Sequence, residues 1–130
     1  MDRAIAGRIS MSVSVPVLSD VLHKVMTAEA SRLAGRDRAG IVGYLGKHPD
    51  LITRPVEYPL AMDRLSAVPM DILPVDGELL RSAARFAIQL HLLTNDAMIV
   101  ALMNRHQLTH RITNDDDFDS VPGLTVWKPR

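Results

Sequence analysis

Cysteine is absent from this chain, which excludes disulfides, zinc fingers, thiol catalysis and iron–sulfur clusters. The absence suits a reducing compartment, and a cytoplasmic location is expected. Aromatic residues are few, with one Trp, two Tyr and two Phe. Trp127 and Phe118 read as packing residues rather than platforms for bases. Neither sign of charge is in excess: 15 Lys and Arg stand against 15 Asp and Glu. Such a balance leaves no global footprint for nucleic acid or membrane, so RNA binding would need a local basic patch. No apolar run approaches the roughly 20 residues of a bilayer span, Ala97–Met103 being among the longest. The first residues carry Asp2, Arg3 and Arg8 and lack the apolar core of a signal peptide.

Other chemistries are missing too. No glycine-rich phosphate loop is present. Ser14 and Ser120 lack the glycine-flanked elbow of a serine hydrolase. His106 and His110 have helix-like spacing, but His110 opens a predicted strand and no third ligand is near, which argues against zinc.

What is present points to one folded domain. A chain of 130 residues with 47% hydrophobic content can bury a core without staples. Alternation over Ile9–Ser14 predicts a strand. Ser14 suits a helix cap and Pro16 its first turn. Val17, Leu18, Val21, Leu22, Val25 and Met26 then form one apolar stripe, so a helix to about Leu33 is expected, ended by Gly35. A short helix follows over Arg38–Leu45, stopped by Gly46 and Pro49. Asp50–Pro59 reads as irregular, Leu60–Ala67 as helical and Met70–Pro74 as a strand. Glu78–Leu90 is amphipathic, with Leu79, Leu80, Ala83, Ala84 and Ala87 expected inside and Arg81, Arg85 and Gln89 outside. Ala97–Arg105, apolar nearly all round, reads as a buried helix. Arg111–Thr113 is a strand leading into the acidic run Asp115–Asp119, Val121–Gly123 a turn, and Leu124–Trp127 a last edge strand. Strands alternating with helices imply an α/β layered fold with a mainly parallel sheet, in which ligands sit beyond the carboxyl ends of the strands.

Three acids fall where that edge is expected. Asp20 lies early in the first long helix, Asp96 at the start of the buried helix, and Asp115 just after a strand. Carboxylates gathered there repel one another unless a cation bridges them, and oxygen-only donors select Mg²⁺ or Mn²⁺. Each acid has a plainer reading. Asp20 suits a surface pair with Lys24, Asp96 a helix N-terminal acid, and the run at 115–119 a solvated loop. A calcium loop is excluded, because Ser120 stands where it needs Gly and Val126 where it needs Glu. The coincidence of three carries the signal.

These residues resemble the PIN domain and, within it, the VapC-like toxins of bacterial toxin–antitoxin pairs. Three stretches carry the likeness: Ser14–Met26 (SVPVLSDVLHKVM), Leu93–Met103 (LTNDAMIVALM) and Thr113–Leu124 (TNDDDFDSVPGL). Asp20 stands where the family usually has Glu. Asp96 and Asp115 take acidic metal-site positions, and Asp117, before Phe118, supports them as a further ligand. The resemblance implies a Rossmann-like α/β/α domain, Mg²⁺- or Mn²⁺-dependent cleavage of RNA, a cognate antitoxin and a homodimer. It also casts Thr113, Asn114 and Ser14 as substrate-positioning residues. Arg36, Arg38 and Lys47 are phosphate contacts or solvated surface.

One departure is expected to matter. PIN domains usually open with a strand bearing an acid, and nothing like it precedes Ile9, so a fold lacking its first strand is expected. Asp2 falls on what reads as the tail of a preceding helix and takes no such role. A start codon called too late, a truncated gene, or a strand from another chain would each account for this. Two other functions compete with an active nuclease: a catalytically inactive remnant that binds only a partner or RNA, and a phospho-receiver-like acid pocket. The receiver needs a paired acid after its first strand and a late strand-end Lys, and neither is visible.

Overall fold

A computed structural model describes residues 9–52 and 55–130. The segment ahead of Ile9, with Asp2 and the question of an opening strand, lies outside those residues. The chain divides into two compact units, Met1–Ile72 and Leu73–Arg130.

In the first unit, β1 (Ser12–Ser14) leads directly into α1 (Val15–Ala34). Ser14 Oγ accepts the Val17 N–H at 3.3 Å, and Pro16 occupies the first turn, both as expected for a helix start. Gly35 closes α1 in the left-handed region at φ 60°, a conformation cheap only for glycine. β1 hydrogen-bonds with β2 (Asp71–Leu73), the strand on which this unit ends. Ala30 of α1 packs with Ile41 and Leu45 of α2 (Ile41–Lys47).

Two helices of this unit differ from their predicted limits. Helix α2 starts later than Arg38, because Gly40 before it holds φ 76°, and it runs through Gly46. Its last turn is stabilised by His48, whose ring stacks on Tyr44 at 4.0 Å and whose N–H reaches the Tyr44 carbonyl. Helix α3 spans Glu57–Ser66, beginning before the predicted Leu60. Its cap comes from far away in sequence: buried Glu29 accepts the N–H groups of Val56, Glu57 and Tyr58 at 2.6, 2.9 and 3.0 Å. Burial pushes the Glu29 carboxyl up, but those bonds and Arg32 outweigh it and leave it below the usual range. Periodicity cannot reveal a cap supplied across the chain.

In the second unit, α4 (Gly77–Leu90) and α5 (Thr94–Arg105) form a bent pair at 111°. Leu79, Ala83, Ala97, Ala101 and Leu102 make its core, the alanines allowing close approach. Asp76 ties the two ends together. Its Oδ1 accepts the Leu79 N–H at 2.8 Å, and its carboxylate takes the Arg105 fork at 3.0 and 3.1 Å. No described helix is long and apolar enough by itself to cross a membrane. β3 (His110–Ile112) and β4 (Thr125–Trp127) pair in parallel, with Arg111 opposite Val126. A 3-10 turn at Asp116–Phe118 lies between them and sends Phe118 into a cluster with Val100 and Val121. The α/β class with parallel strands therefore holds.

Three inward assignments are corrected. Leu80 and Ala84 are exposed, because α4 buries the narrower stripe of Leu79 and Ala83, which Phe86 also flanks. Trp127 is 56% exposed; its indole N–H donates to His110 Nδ1 at 3.0 Å instead of entering the core. Phe118 is 1% exposed and packs as expected. Leu79→Ala is expected to cost about 2–5 kcal/mol in urea denaturation, whereas Leu80→Ala should stay within about 0.5 kcal/mol. The reverse order would mean that α4 turns its other face inward.

Candidate metal centre

The second unit brings Asp96, Asp115 and Asp117 together. One carboxylate oxygen from each lies within 4.8 Å of the others. Asp96 is set by the first turn of α5. Asp115 and Asp117 are set by the turn after β3, which local hydrogen bonds fix. The Asp115 N–H donates to Thr113 Oγ1 at 3.1 Å, and Asp115 Oδ1 accepts the Asp117 N–H at 2.9 Å. Asp115 is thus both a cap for the turn and a member of the cluster. Ionised carboxylates have lone pairs to spare for both tasks.

Two basic residues complete the site, and the sequence reading assigned neither a role. Lys128, just past β4, donates to the Asp115 carbonyl at 3.1 Å and to Asp116 Oδ1 at 2.9 Å, and lies 3.0 Å from Asp119 Oδ1. It therefore neutralises the acids of the run that stand outside the cluster. These bonds hold the Lys128 ammonium above its ordinary range. Arg111 lies on the inner side of β3, its guanidinium 5.1 Å from the centre of the Phe118 ring. The strand alternation around it was legible, but nothing in its spacing marked it as a charge beside the acids.

Electrostatics mark Asp96 as the strained member. Burial first, then the charges of Asp115 and Asp117, push its carboxyl up, while Arg111 pulls it down. Three crowded carboxylates disfavour one another's ionisation. The donor set is all oxygen, closely spaced and partly open to solvent, which fits a hard divalent ion.

The other predicted residues lie as follows. Asp20 belongs to the first unit, on α1, exposed and paired with Lys24 at 2.9 Å. Ser14 is buried there, and its hydroxyl caps α1. Thr113 orients the backbone at Asp115, and Asn114 is exposed beside it. Arg36 lies over the Tyr44 ring at 4.4 Å, and Arg38 and Lys47 are exposed.

Among family models, that of the PIN domain matches residues 3–124, a span that runs through both units. Comparisons with curated proteins and with solved structures returned no match.

Because the folded Asp96 carboxyl is raised, this group binds more proton in the native state than in the unfolded chain across the carboxylate range, the opposite of Glu29 and Asp76, whose carboxyls are lowered. The contribution of Asp96 to metal-free stability should therefore fall as pH rises through that range. Asp96→Asn is expected to melt higher than the wild type in chelator at neutral pH, with the gain fading in acid. A variant that melts lower at neutral pH would contradict the crowding.

Proposed function

The chain belongs to the PIN-domain family, and from that premise we propose that it is a Mg²⁺- or Mn²⁺-dependent endoribonuclease, the toxin of a toxin–antitoxin pair. The family brings nuclease-type activity, RNA as the class of substrate and divalent ions as customary cofactors. The VapC-like assignment, the cognate antitoxin, self-association as a homodimer and a cytoplasmic location rest on the resemblance of Ser14–Met26, Leu93–Met103 and Thr113–Leu124 and on the absence of cysteine.

One observation carries the reading: three carboxylates from separate elements meet within 4.8 Å. Asp96, Asp115 and Asp117 would hold the ion, with Asp20 the further acid that the resemblance assigns. When bound, a divalent ion lowers the pKa of water and stabilises charge at a phosphate. The chain's own residues do the positioning. Thr113 fixes the backbone from which Asp115 projects, and Asp115 in turn fixes Asp117. Lys128 holds the same turn through the Asp115 carbonyl.

A second reading, a module that binds without cutting, is favoured by exposed apolar side chains on α1: Val15, Val21 and Leu33 are 47%, 38% and 50% exposed.

Labelled RNA incubated with the purified chain and Mn²⁺ tests both. The wild type should give internal cleavage that chelator abolishes. Asp96→Asn should lose about 100-fold or more, since loss of even an outer-shell partner of a metal ligand costs about 10–100-fold. Equal cleavage by both chains would expose a contaminating nuclease. RNA retained but uncut by the wild type would establish the second reading.

A further inference from the structure

Between Asp115 and Asp119 every residue but Phe118 is an acid, and a run of like charges repels itself and spreads. Two of its members, Asp115 and Asp117, nevertheless keep station with Asp96, an oxygen of each lying within 4.8 Å of the others. Backbone bonds supply part of the restraint. The Asp119 N–H reaches the Asp116 carbonyl at 3.0 Å and closes the 3-10 turn. Such bonds leave the charge unopposed.

The cation that opposes it is delivered by β4. β3 and β4 are parallel, so their carboxyl ends share one edge. The ladder continues one step past β3, the Thr113 N–H donating to the Trp127 carbonyl at 3.0 Å. Lys128 is the next residue after Trp127, and the acidic run opens two residues after Thr113. The ammonium therefore arrives where the acids begin. A lysine has three N–H donors, and acceptors stand ready for all of them. They are the Asp115 carbonyl at 3.1 Å, Asp116 Oδ1 at 2.9 Å and Asp119 Oδ1 at 3.0 Å. One side chain thus spans the run from its first residue to its last.

Building on the metal-site reading above, we propose that Lys128 is a positioning residue of that site. By pairing with Asp116 and Asp119 it removes the repulsion that would spread the run, and so keeps Asp115 and Asp117 in place beside Asp96 for a divalent ion. It acts through the Asp115 backbone and through the acids outside the cluster. Charge and position make opposite predictions for such a residue. An exposed cation acting through water lowers the affinity for another cation by about twofold to threefold, so on charge alone its removal tightens binding. A partner that orients metal ligands acts the other way, and its loss costs about 10–100-fold in affinity. Lys128 orients the backbone that carries the ligands, which places it at the low end of that range. Position still outweighs charge.

The test uses the full chain, stripped of metal and titrated with Mn²⁺ alone, with binding read by electron paramagnetic resonance. Lys128→Met keeps an unbranched stem and is expected to bind Mn²⁺ about tenfold more weakly than the wild type. Adding Asp116→Asn and Asp119→Asn to it removes the repulsion. This triple variant should bind more tightly than Lys128→Met, within about threefold of the wild type. Charge alone ranks the chains in the reverse order. Lys128→Met, with two unopposed anions, would be the tightest, and the triple variant, with none, the weakest. Amide relaxation of the metal-free chains should show Asp115–Asp119 more mobile in Lys128→Met than in the wild type. The pairs are exposed, the side chain of Lys128 being 39% accessible and those of Asp116 and Asp119 90% and 50%, and exposed pairs contribute little to global stability. The metal-free variants should accordingly melt close to the wild type. Lys128→Met binding as tightly as the wild type, a triple variant no better than Lys128→Met, an equally rigid turn, or a large drop in melting temperature would each overturn the proposal. If the wild type bound no Mn²⁺ at all, the metal-site reading would fall and this proposal with it; normal wild-type binding that Lys128→Met leaves unaltered removes only the role of Lys128.

Discussion

Repulsion among three carboxylates is the constraint around which the second unit is organised. Asp96, Asp115 and Asp117 approach within 4.8 Å although like charges at that distance disfavour one another. Such an arrangement persists only if the scaffold holds each backbone position firmly. Asp96 is held by the packing of α5, whose next residue, Ala97, is fully buried against α4. The other two acids are held by Phe118, which anchors the turn between them and the core, and by Lys128, which grips the turn from β4. The energy to crowd the acids comes from apolar burial directly beneath them.

The division of labour among the acids follows from geometry. In the run at 115–119 the residues alternate in duty. Asp115 and Asp117 contribute to the cluster, while Asp116 and Asp119 face Lys128. A solvated loop of like charges would have no reason to sort its members in this way. The 3-10 turn does so by sending Phe118 inward and leaving its acidic neighbours on the surface around it.

Much of this was legible in the sequence because it is local. The cap at Ser14, the left-handed stop at Gly35 and the helix bearing Asp96 in its first turn are all written within a few residues. The likeness of Thr113–Leu124 to a known acidic segment pointed to Asp115 and Asp117, and these meet Asp96 in the fold. What stayed hidden depends on partners distant in the chain. Glu29 caps a helix 27 residues further on, and no periodicity encodes that. Leu80 and Ala84 belong to the apolar side of α4 by composition, yet the facing helix covers only the stripe beside them. Arg111 reads as an ordinary strand residue until the fold brings its guanidinium to the Phe118 ring. Asp20 stands in the first unit with Lys24 as its partner, the plainer of the two readings its spacing offered.

The most direct test of the central claim is a map of where a divalent ion settles. Mn²⁺ added in substoichiometric amounts to the isotopically labelled chain broadens amide signals near its binding site. Selective loss of the signals of Asp96, Ala97, Asp115 and Asp117, with the rest of the spectrum intact, is the predicted result. Broadening centred elsewhere, or spread evenly over the exposed acids of both units, would contradict the account.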